Sequence, residues 1–254
     1  MKAFLIALQF LSRIQLAKQT IWTNEDFGRS VIFFPLVGTI IGAFLWLVYS
    51  LSTVLFPGPY GAVIVVVAWL YITGGLHADG LMDTADGILS GRSRERMLEI
   101  LKDSRVGASG VMVFVSVILL KITFLATLPS SVMGLVLLGI PTAARWGTLI
   151  SIFSFPYARE QGLGRAFQQY QPPHVLLKGV LLAGVPFFYA GPVYACYIGL
   201  ALLFSLGANT YLQARLGGVT GDTYGAVLEC SEMVLLAVTA IALSPTIQAF
   251  INTV

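Results

Sequence analysis

The chain has 254 residues, of which 57% are hydrophobic and 11% are charged, and its net charge is +3. A soluble domain carries about 25% charged residues, so this composition excludes an ordinary soluble domain and predicts an integral membrane protein. A mean hydropathy of +0.84 agrees with that prediction. The net charge is too small to indicate nucleic acid as a partner, and the length fits one membrane-embedded domain over residues 1–254.

The apolar segments predict an all-α fold. Residues 2–16 are apolar but too short to cross about 30 Å of hydrocarbon, so we expect an interfacial N-terminal helix there. Residues 93–103 have the pattern of a cytoplasmic amphipathic helix. The expected architecture is a polytopic membrane helical bundle of about seven transmembrane helices, whose predicted spans are residues 31–56, 60–76, 106–128, 132–155, 175–189, 193–213 and 224–250.

Basic residues predict the orientation of this bundle. Lys and Arg lie in the N-terminal segment, in the polar connections 77–105 and 156–178, and at residue 215, whereas the turns near residues 57, 129 and 191 have none. The positive-inside rule therefore puts the N-terminus and the basic connections in the cytoplasm and the C-terminus outside. Two basic residues lie inside spans. Arg145 is a candidate for a functional or structural ion pair, and Lys121 is a candidate to snorkel to the interface.

An acidic stretch follows the second predicted span. Residues 74–110 contain six of the twelve carboxylates, and Asp79, Asp83 and Asp86 have i, i+4, i+7 spacing, which places them on one helix face. Carboxylates that close repel one another, so they are candidate ligands of Mg²⁺ or Mn²⁺, which prefer oxygen. The alternative is a solvated face paired with nearby arginines. His77 is either a structural histidine or, if the helix starts after it, a base or ligand.

A second polar constellation opens the last predicted span, in residues 216–232 (LGGVTGDTYGAVLECSE). Gly218 and Thr220 belong to a loop whose backbone N–H groups are candidates to bind an anion at a helix N-terminus. Asp222 and Glu229 are seven residues apart and lie on nearly one face. The alternative is an ordinary capped helix start with Asp222 near the N-cap.

The chemistry that these groups favour is phosphoryl transfer to a water-soluble reactant at the cytoplasmic side. That reaction needs positioning and charge neutralisation more than covalent help from the protein. Guanidinium groups hold phosphates bidentately, and the candidates for this role are Arg92, Arg96, Arg105 and Arg159.

Five segments together resemble the bacterial cobalamin synthase family, which catalyses adenosylcobinamide-GDP ribazoletransferase chemistry. They are FFPLVG at 33–38, GGLHADGLMDTADG at 74–87, RSRERMLEILKDSRVGASG at 92–110, YAREQGLG at 157–164 and the 216–232 segment. The resemblance implies a multi-pass enzyme of the cell inner membrane that joins adenosylcobinamide-GDP to α-ribazole or its 5′-phosphate, releases GMP and requires Mg²⁺. The resemblance is compatible with a homo-oligomer.

A more distant similarity concerns the CDP-alcohol phosphotransferases, which use D-x-x-D-G followed by D-x-x-x-D. The segment from Asp83 to Gly87 matches the first part, whereas the second part is matched only with Glu99 in place of the first aspartate and Asp103 as the last residue. From this pattern and the spacing, we expect the acidic face to hold one or two Mg²⁺ on a pyrophosphate. Asp103 and Asp86 are the candidate catalytic residues, with Asp103 as the base.

Two rival functions follow from the same residues. A CDP-alcohol phosphotransferase of phospholipid synthesis shares the metal chemistry but needs a lipid-sized groove. A cation transporter would use the aspartates as an ion path, but it should carry charged groups on both sides of the membrane and through several spans.

Overall fold

A computed structural model describes residues 1–17, 22–56 and 58–251. Within these ranges the regular elements are helices, and the only β pairing is one parallel bridge between Tyr157 and Val219. The all-α prediction is therefore confirmed. Two expectations, the turn at residue 57 and the position of the C-terminal residues 252–254, lie outside the described residues.

The α-helices of the described residues are named here in chain order. The first seven are α1 (Lys2–Leu11), α2 (Asn24–Ser30), α3 (Phe34–Leu55), α4 (Tyr60–Thr73), α5 (Leu76–Leu89), α6 (Arg94–Ile100) and α7 (Ala108–Thr127). The next seven are α8 (Met133–Ser154), α9 (Leu163–Gln169), α10 (Val175–Ala183), α11 (Phe187–Ala190), α12 (Val193–Leu216), α13 (Gly221–Ala242) and α14 (Pro245–Ile251).

The structure supports a membrane protein but does not confirm the count of seven spans. Among the described residues, five helical segments are long and apolar enough to cross a membrane, or six if the bent pair α4 and α5 is one span. The fifth predicted span, residues 175–189, is divided into α10 and α11. The break lies at Gly184 and Pro186, and proline cannot continue a helix because it lacks the backbone N–H.

The centre of the bundle is α8, most of whose residues are buried. Its closest neighbour is α3, where Gly38 and Gly42 face the α8 backbone. A Cβ added at Gly38 would lie 2.6 Å from the carbonyl oxygen of Pro141, and one at Gly42 would lie 2.3 Å from that of Leu137. Small residues four apart therefore let the two helices pack backbone against backbone, as in other membrane bundles.

A sharp bend after α4 sets the position of the acidic helix. Gly74 and Gly75 have φ angles of 66° and 75°, and they turn the chain by 90° between α4 and α5. Left-handed backbone at two successive positions is accessible mainly to glycine. Because α5 turns away from the direction of α4 and carries three carboxylates, which are costly in hydrocarbon, we expect it to lie outside the spans.

Glycines also bring α5 onto α13. The Cα of Gly80 faces the backbone of Asp222, where an added Cβ would lie 2.6 Å from the carbonyl oxygen. Gly225 faces the backbone of His77 in the same way, at 3.0 Å. This crossing places the acidic face of α5 beside the first turn of α13.

Candidate active site

Carboxylates from two helices meet at one end of the bundle. Asp79, Asp83 and Asp86 lie along α5, and Asp222 lies in the first turn of α13. Partial burial and the charges of Asp79, Asp222 and Asp86 raise the pKa of Asp83 to about 6. Neighbouring negative charge therefore disfavours ionisation of Asp83, which is the electrostatic setting that the sequence predicts for a cation site.

Asp86 caps the N-terminus of α7. One carboxylate oxygen accepts a hydrogen bond from the backbone N–H of Gly107 at 2.6 Å, and the other accepts from Gly110 at 2.8 Å. A Cβ at either glycine would lie within 2.5 Å of this carboxylate. The sequence analysis missed this contact, although the two glycines of the RVGASG segment were the signal for it. Asp86 thus fixes α5 to α7 through charge-assisted hydrogen bonds.

The glycine-rich loop before α13 pairs with the connection after α8. The N–H of Ala158 donates to the carbonyl of Val219 at 2.8 Å, and the N–H of Val219 donates to the carbonyl of Pro156 at 2.9 Å. Gly218 allows this approach, because an added Cβ would lie 2.5 Å from the carbonyl oxygen of Pro156. Thr220 then caps α13 in a capping box. Gly218 and Thr220 therefore shape the wall beside the carboxylates.

Arg159 reaches across this loop to the acidic cluster. Its guanidinium donates to the Asp222 carboxylate at 2.7 Å and to the carbonyl of Leu101 at 3.3 Å. The Thr220 hydroxyl also donates to Asp222, at 3.3 Å. Of the four candidate arginines, Arg159 is the one that the described structure brings onto a carboxylate of this cluster.

The other candidate arginines lie on the exposed surface of residues 92–105. Arg96 pairs with Glu99 at 2.7 Å, and Arg92 is exposed without an ion-pair partner among the described residues. Arg105 holds Asp103 with both its Nε and Nη2 groups, at 2.9 and 2.6 Å. These hydrogen bonds hold the pKa of Asp103 at about 2. The candidate base is thus paired with a candidate phosphate ligand.

Glu229 lies in a buried ionic network rather than at the open cluster. Lys121 donates to Glu229 at 2.5 Å and to Glu232 at 2.7 Å, and Arg145 donates to Glu232 at 2.8 Å. Lys121 also lies 4.9 Å from the ring centre of Trp69. The snorkelling expected of Lys121 is wrong, because two buried carboxylates hold it inside the bundle. Arg145 makes the ion pair for which the sequence analysis proposed it.

His77 lies in the first turn of α5. The helix α5 begins at Leu76, so the condition under which His77 would be a base or a ligand is not met. The side chain is buried, and its Nδ1 has no hydrogen-bond partner among the described residues.

No three metal-ligating side chains are assembled as a ready metal site in residues 1–17, 22–56 and 58–251. The donor set is nevertheless suited to a hard divalent cation. Within the same ranges the carboxylates of Asp79 and Asp83 have neither an ion pair nor a hydrogen bond, whereas Asp222 and Asp86 do. Proteins usually hold Mg²⁺ with one or two carboxylates, waters and substrate phosphates rather than with an all-protein cage.

The model of a family described as cobalamin-5-phosphate synthase matches residues 3–240. A protein of Brevibacillus brevis is 38% identical over 94% of this chain and 97% of its own length. One of Desulfitobacterium hafniense is 42% identical over 93% and 95%, and one of a Roseiflexus species is 40% identical over 91% and 86%. All three are named adenosylcobinamide-GDP ribazoletransferase.

No solved structure matches the chain. The family match covers α1 to α13 almost completely, including α5, the loop at 156–159 and the start of α13, which together form the site described above. With this coverage and these identities, the chain belongs to the cobalamin-5-phosphate synthase family.

Proposed function

We propose that this protein is a transferase of cobalamin nucleotide-loop assembly. It moves the cobinamide-phosphate moiety of adenosylcobinamide-GDP to α-ribazole or α-ribazole 5′-phosphate, forming adenosylcobalamin or its 5′-phosphate and releasing GMP. The family match over residues 3–240 carries this proposal. The carboxylates that α5 and α13 bring together support it, because they suit a reaction at a diphosphate.

The proposed cofactor is Mg²⁺, with Mn²⁺ as a substitute. Asp79 and Asp83 are the proposed protein ligands, since the described structure gives them no other partner. Asp86 is the third proposed ligand, and its hydrogen bonds to α7 hold it in orientation for that role. When bound, the ion would neutralise charge on the pyrophosphate.

The proposed reaction is one displacement at phosphorus. The 3′-hydroxyl oxygen of the ribazole forms a bond to the phosphorus next to cobinamide, the bridging P–O bond breaks, and GMP leaves with the bond electrons. Asp103 is the proposed acceptor of the hydroxyl proton. Because Arg105 now holds its pKa low, we expect Arg105 to exchange Asp103 for a substrate phosphate and thereby restore the basicity of that carboxylate.

The remaining site residues are proposed to bind substrate. Arg92 and Arg96 are exposed beside the acidic helix and are available to phosphate oxygens. Arg159 holds Asp222, and together with Thr220 and Gly218 they form the opposite wall. Glu229 was a candidate for direct contact with substrate. Its burial with Lys121 favours an indirect role, in which it holds α13 against α7.

The proposed location is the cell inner membrane, with the site open to the cytoplasm. The distribution of basic residues supports this orientation, because the connections that carry Lys and Arg include the ones that form the site. A charged, water-soluble donor would then reach the carboxylates without crossing the bilayer.

The two rival functions are not favoured. The relatives bear the name of a ribazoletransferase, and the family match leaves no separate support for a CDP-alcohol substrate. Charged side chains do lie inside the bundle, but two cations pair with two carboxylates there, which is a closed structural network rather than an ion path.

The deciding experiment is GMP release from adenosylcobinamide-GDP and α-ribazole by purified protein. We expect release with Mg²⁺, none after chelation, and a loss of at least about a hundredfold in Asp83→Ala. CDP-diacylglycerol with an alcohol acceptor serves as the control donor. Absence of GMP release from active, folded protein, or equal turnover of the control donor, would refute the proposal.

A further inference from the structure

A partly open cavity of about 190 Å³ lies beside the acidic cluster, between α1, α3, α5, α8, α9 and α13. Its walls include three phenylalanine rings from three different helices, Phe10, Phe34 and Phe167. The ring centres of Phe34 and Phe167 are 5.7 Å apart, and those of Phe10 and Phe34 are 6.1 Å apart. Pockets for drug-sized ligands are typically about 300–1,000 Å³, so this one admits a single ring system and not a corrinoid or a whole nucleotide.

Two residues of the cavity wall each carry a buried polar atom without a partner. Tyr224 and His77 are each 5% exposed, and both contribute to the wall. Within residues 1–17, 22–56 and 58–251, neither the hydroxyl of Tyr224 nor Nδ1 of His77 makes a hydrogen bond. Buried polar groups nearly always have partners, so these two atoms beside one cavity are available to a ligand with polar atoms of its own.

The cavity is continuous with the carboxylates. Asp79 and Asp222 line it together with the aromatic residues, and they belong to the cluster proposed to meet the diphosphate. A ligand with an aromatic ring in the cavity would thus carry its next group, attached to that ring, toward the reacting phosphate.

We propose that this cavity binds the aromatic base of the ribazole acceptor and directs its ribose toward Asp79 and Asp222. The inference rests on the proposed function and names the subsite that this function needs. The base packs against the cluster of three phenylalanine rings, and its ring nitrogen or ribose hydroxyls supply the partners that Tyr224 and His77 lack. The guanine of the donor is the competing occupant. The apolar walls favour the ribazole, because guanine presents many more polar edge atoms than two orphaned groups can satisfy.

The test is equilibrium binding of α-ribazole to purified full-length protein without donor, measured by calorimetry. Tyr224→Phe removes only the orphaned hydroxyl, and we expect it to weaken ribazole binding by about three- to tenfold. Phe167→Ala removes one stacking wall and should weaken binding by about tenfold or more. Matched controls are Tyr60→Phe and Phe188→Ala, since both residues are exposed, and neither should change ribazole binding. Binding of Mg²⁺–GDP should stay within about twofold in all four variants.

If the hydroxyl of Tyr224 binds the ligand, Tyr224→Phe should lower the affinity for ribazole while the unfolding temperature of ligand-free protein stays unchanged or rises. A purely structural role predicts the opposite pattern, a lower unfolding temperature with unchanged ribazole affinity. Unchanged ribazole affinity in Tyr224→Phe overturns the assignment, and so does a selective loss of GDP binding, which would give the cavity to guanine. If wild-type protein releases GMP but the variants bind ribazole normally, the assignment of this cavity is refuted and the proposed function stands. If wild-type protein neither binds ribazole nor releases GMP, the proposed function fails with it.

Discussion

The buried ionic network offers the sharpest stability prediction. The side chains of Lys121, Glu229 and Glu232 are at most 4% exposed, and the lysine nitrogen lies 2.5 and 2.7 Å from the two carboxylates. At an effective dielectric constant of about 20, each contact is worth about 6 kcal/mol before desolvation. Desolvation offsets most of this attraction, so the intact network contributes little net stability, whereas removal of one member leaves a buried charge without a partner.

Replacing Lys121 with methionine keeps most of the side-chain volume but deletes the charge. Arg145 then faces two carboxylates, and we expect the free energy of unfolding to fall by about 3–5 kcal/mol. The double variant Lys121→Met with Glu229→Gln restores a neutral pair of Arg145 and Glu232, and it should recover at least half of that loss. The matched control is Lys178→Met, an exposed lysine, which should change stability by less than about 0.5 kcal/mol.

The measurement is equilibrium unfolding of the four proteins in mixed micelles, monitored by tryptophan fluorescence. A loss below about 1 kcal/mol in Lys121→Met would refute the view that the lysine is an essential member of the network. A double variant no more stable than the single one would also refute it, because the loss would then arise from packing and not from an unpaired charge.

Three further predictions concern the site. Gly110→Ala should lower turnover at least about tenfold and destabilise α7, because its Cβ would lie 2.5 Å from the capping carboxylate, whereas Gly199→Ala, which meets open space, should leave both unchanged. Arg159→Ala should raise the KM for the donor by about tenfold, since it frees Asp222 to repel phosphate, and normal kinetics would argue against this role. Asp103→Asn should abolish GMP release while Mg²⁺-dependent nucleotide binding persists, and near-normal release would show that another group takes the proton.

Local patterns predicted what depends on local geometry. Spacing alone placed Asp79, Asp83 and Asp86 on one face of a helix, and the glycine-rich segment before Asp222 was recognised as a helix start. The span count was not predictable in the same way. A 14-residue helix followed by a 90° bend at Gly75 has the same hydropathy profile as a straight span.

Contacts between distant segments could not be derived from periodicity. Nothing local links Lys121 to Glu229, which is 108 residues away, and their pairing follows from how α7 packs on α13. The aromatic cavity was missed for the same reason, since Phe10, Phe34 and Phe167 come from helices far apart in sequence. Such long-range arrangements depend on tertiary packing, which one sequence does not specify pair by pair.

The charged side chains inside the bundle pair with one another, whereas two carboxylates of the candidate site have no partner in the described structure. This difference is the strongest physical argument for a bound cation. Inside the bundle two cations meet two carboxylates, so the formal charges of this network sum to zero. In the acidic cluster of α5 and α13, Asp86 accepts hydrogen bonds from two backbone N–H groups and Asp222 pairs with Arg159. Of this cluster, Asp79 and Asp83 have no such partner in the described structure, and partial burial together with the neighbouring carboxylates raises the pKa of Asp83. A substrate that arrives with a diphosphate adds still more negative charge, and for this reason we propose that a cation enters with it.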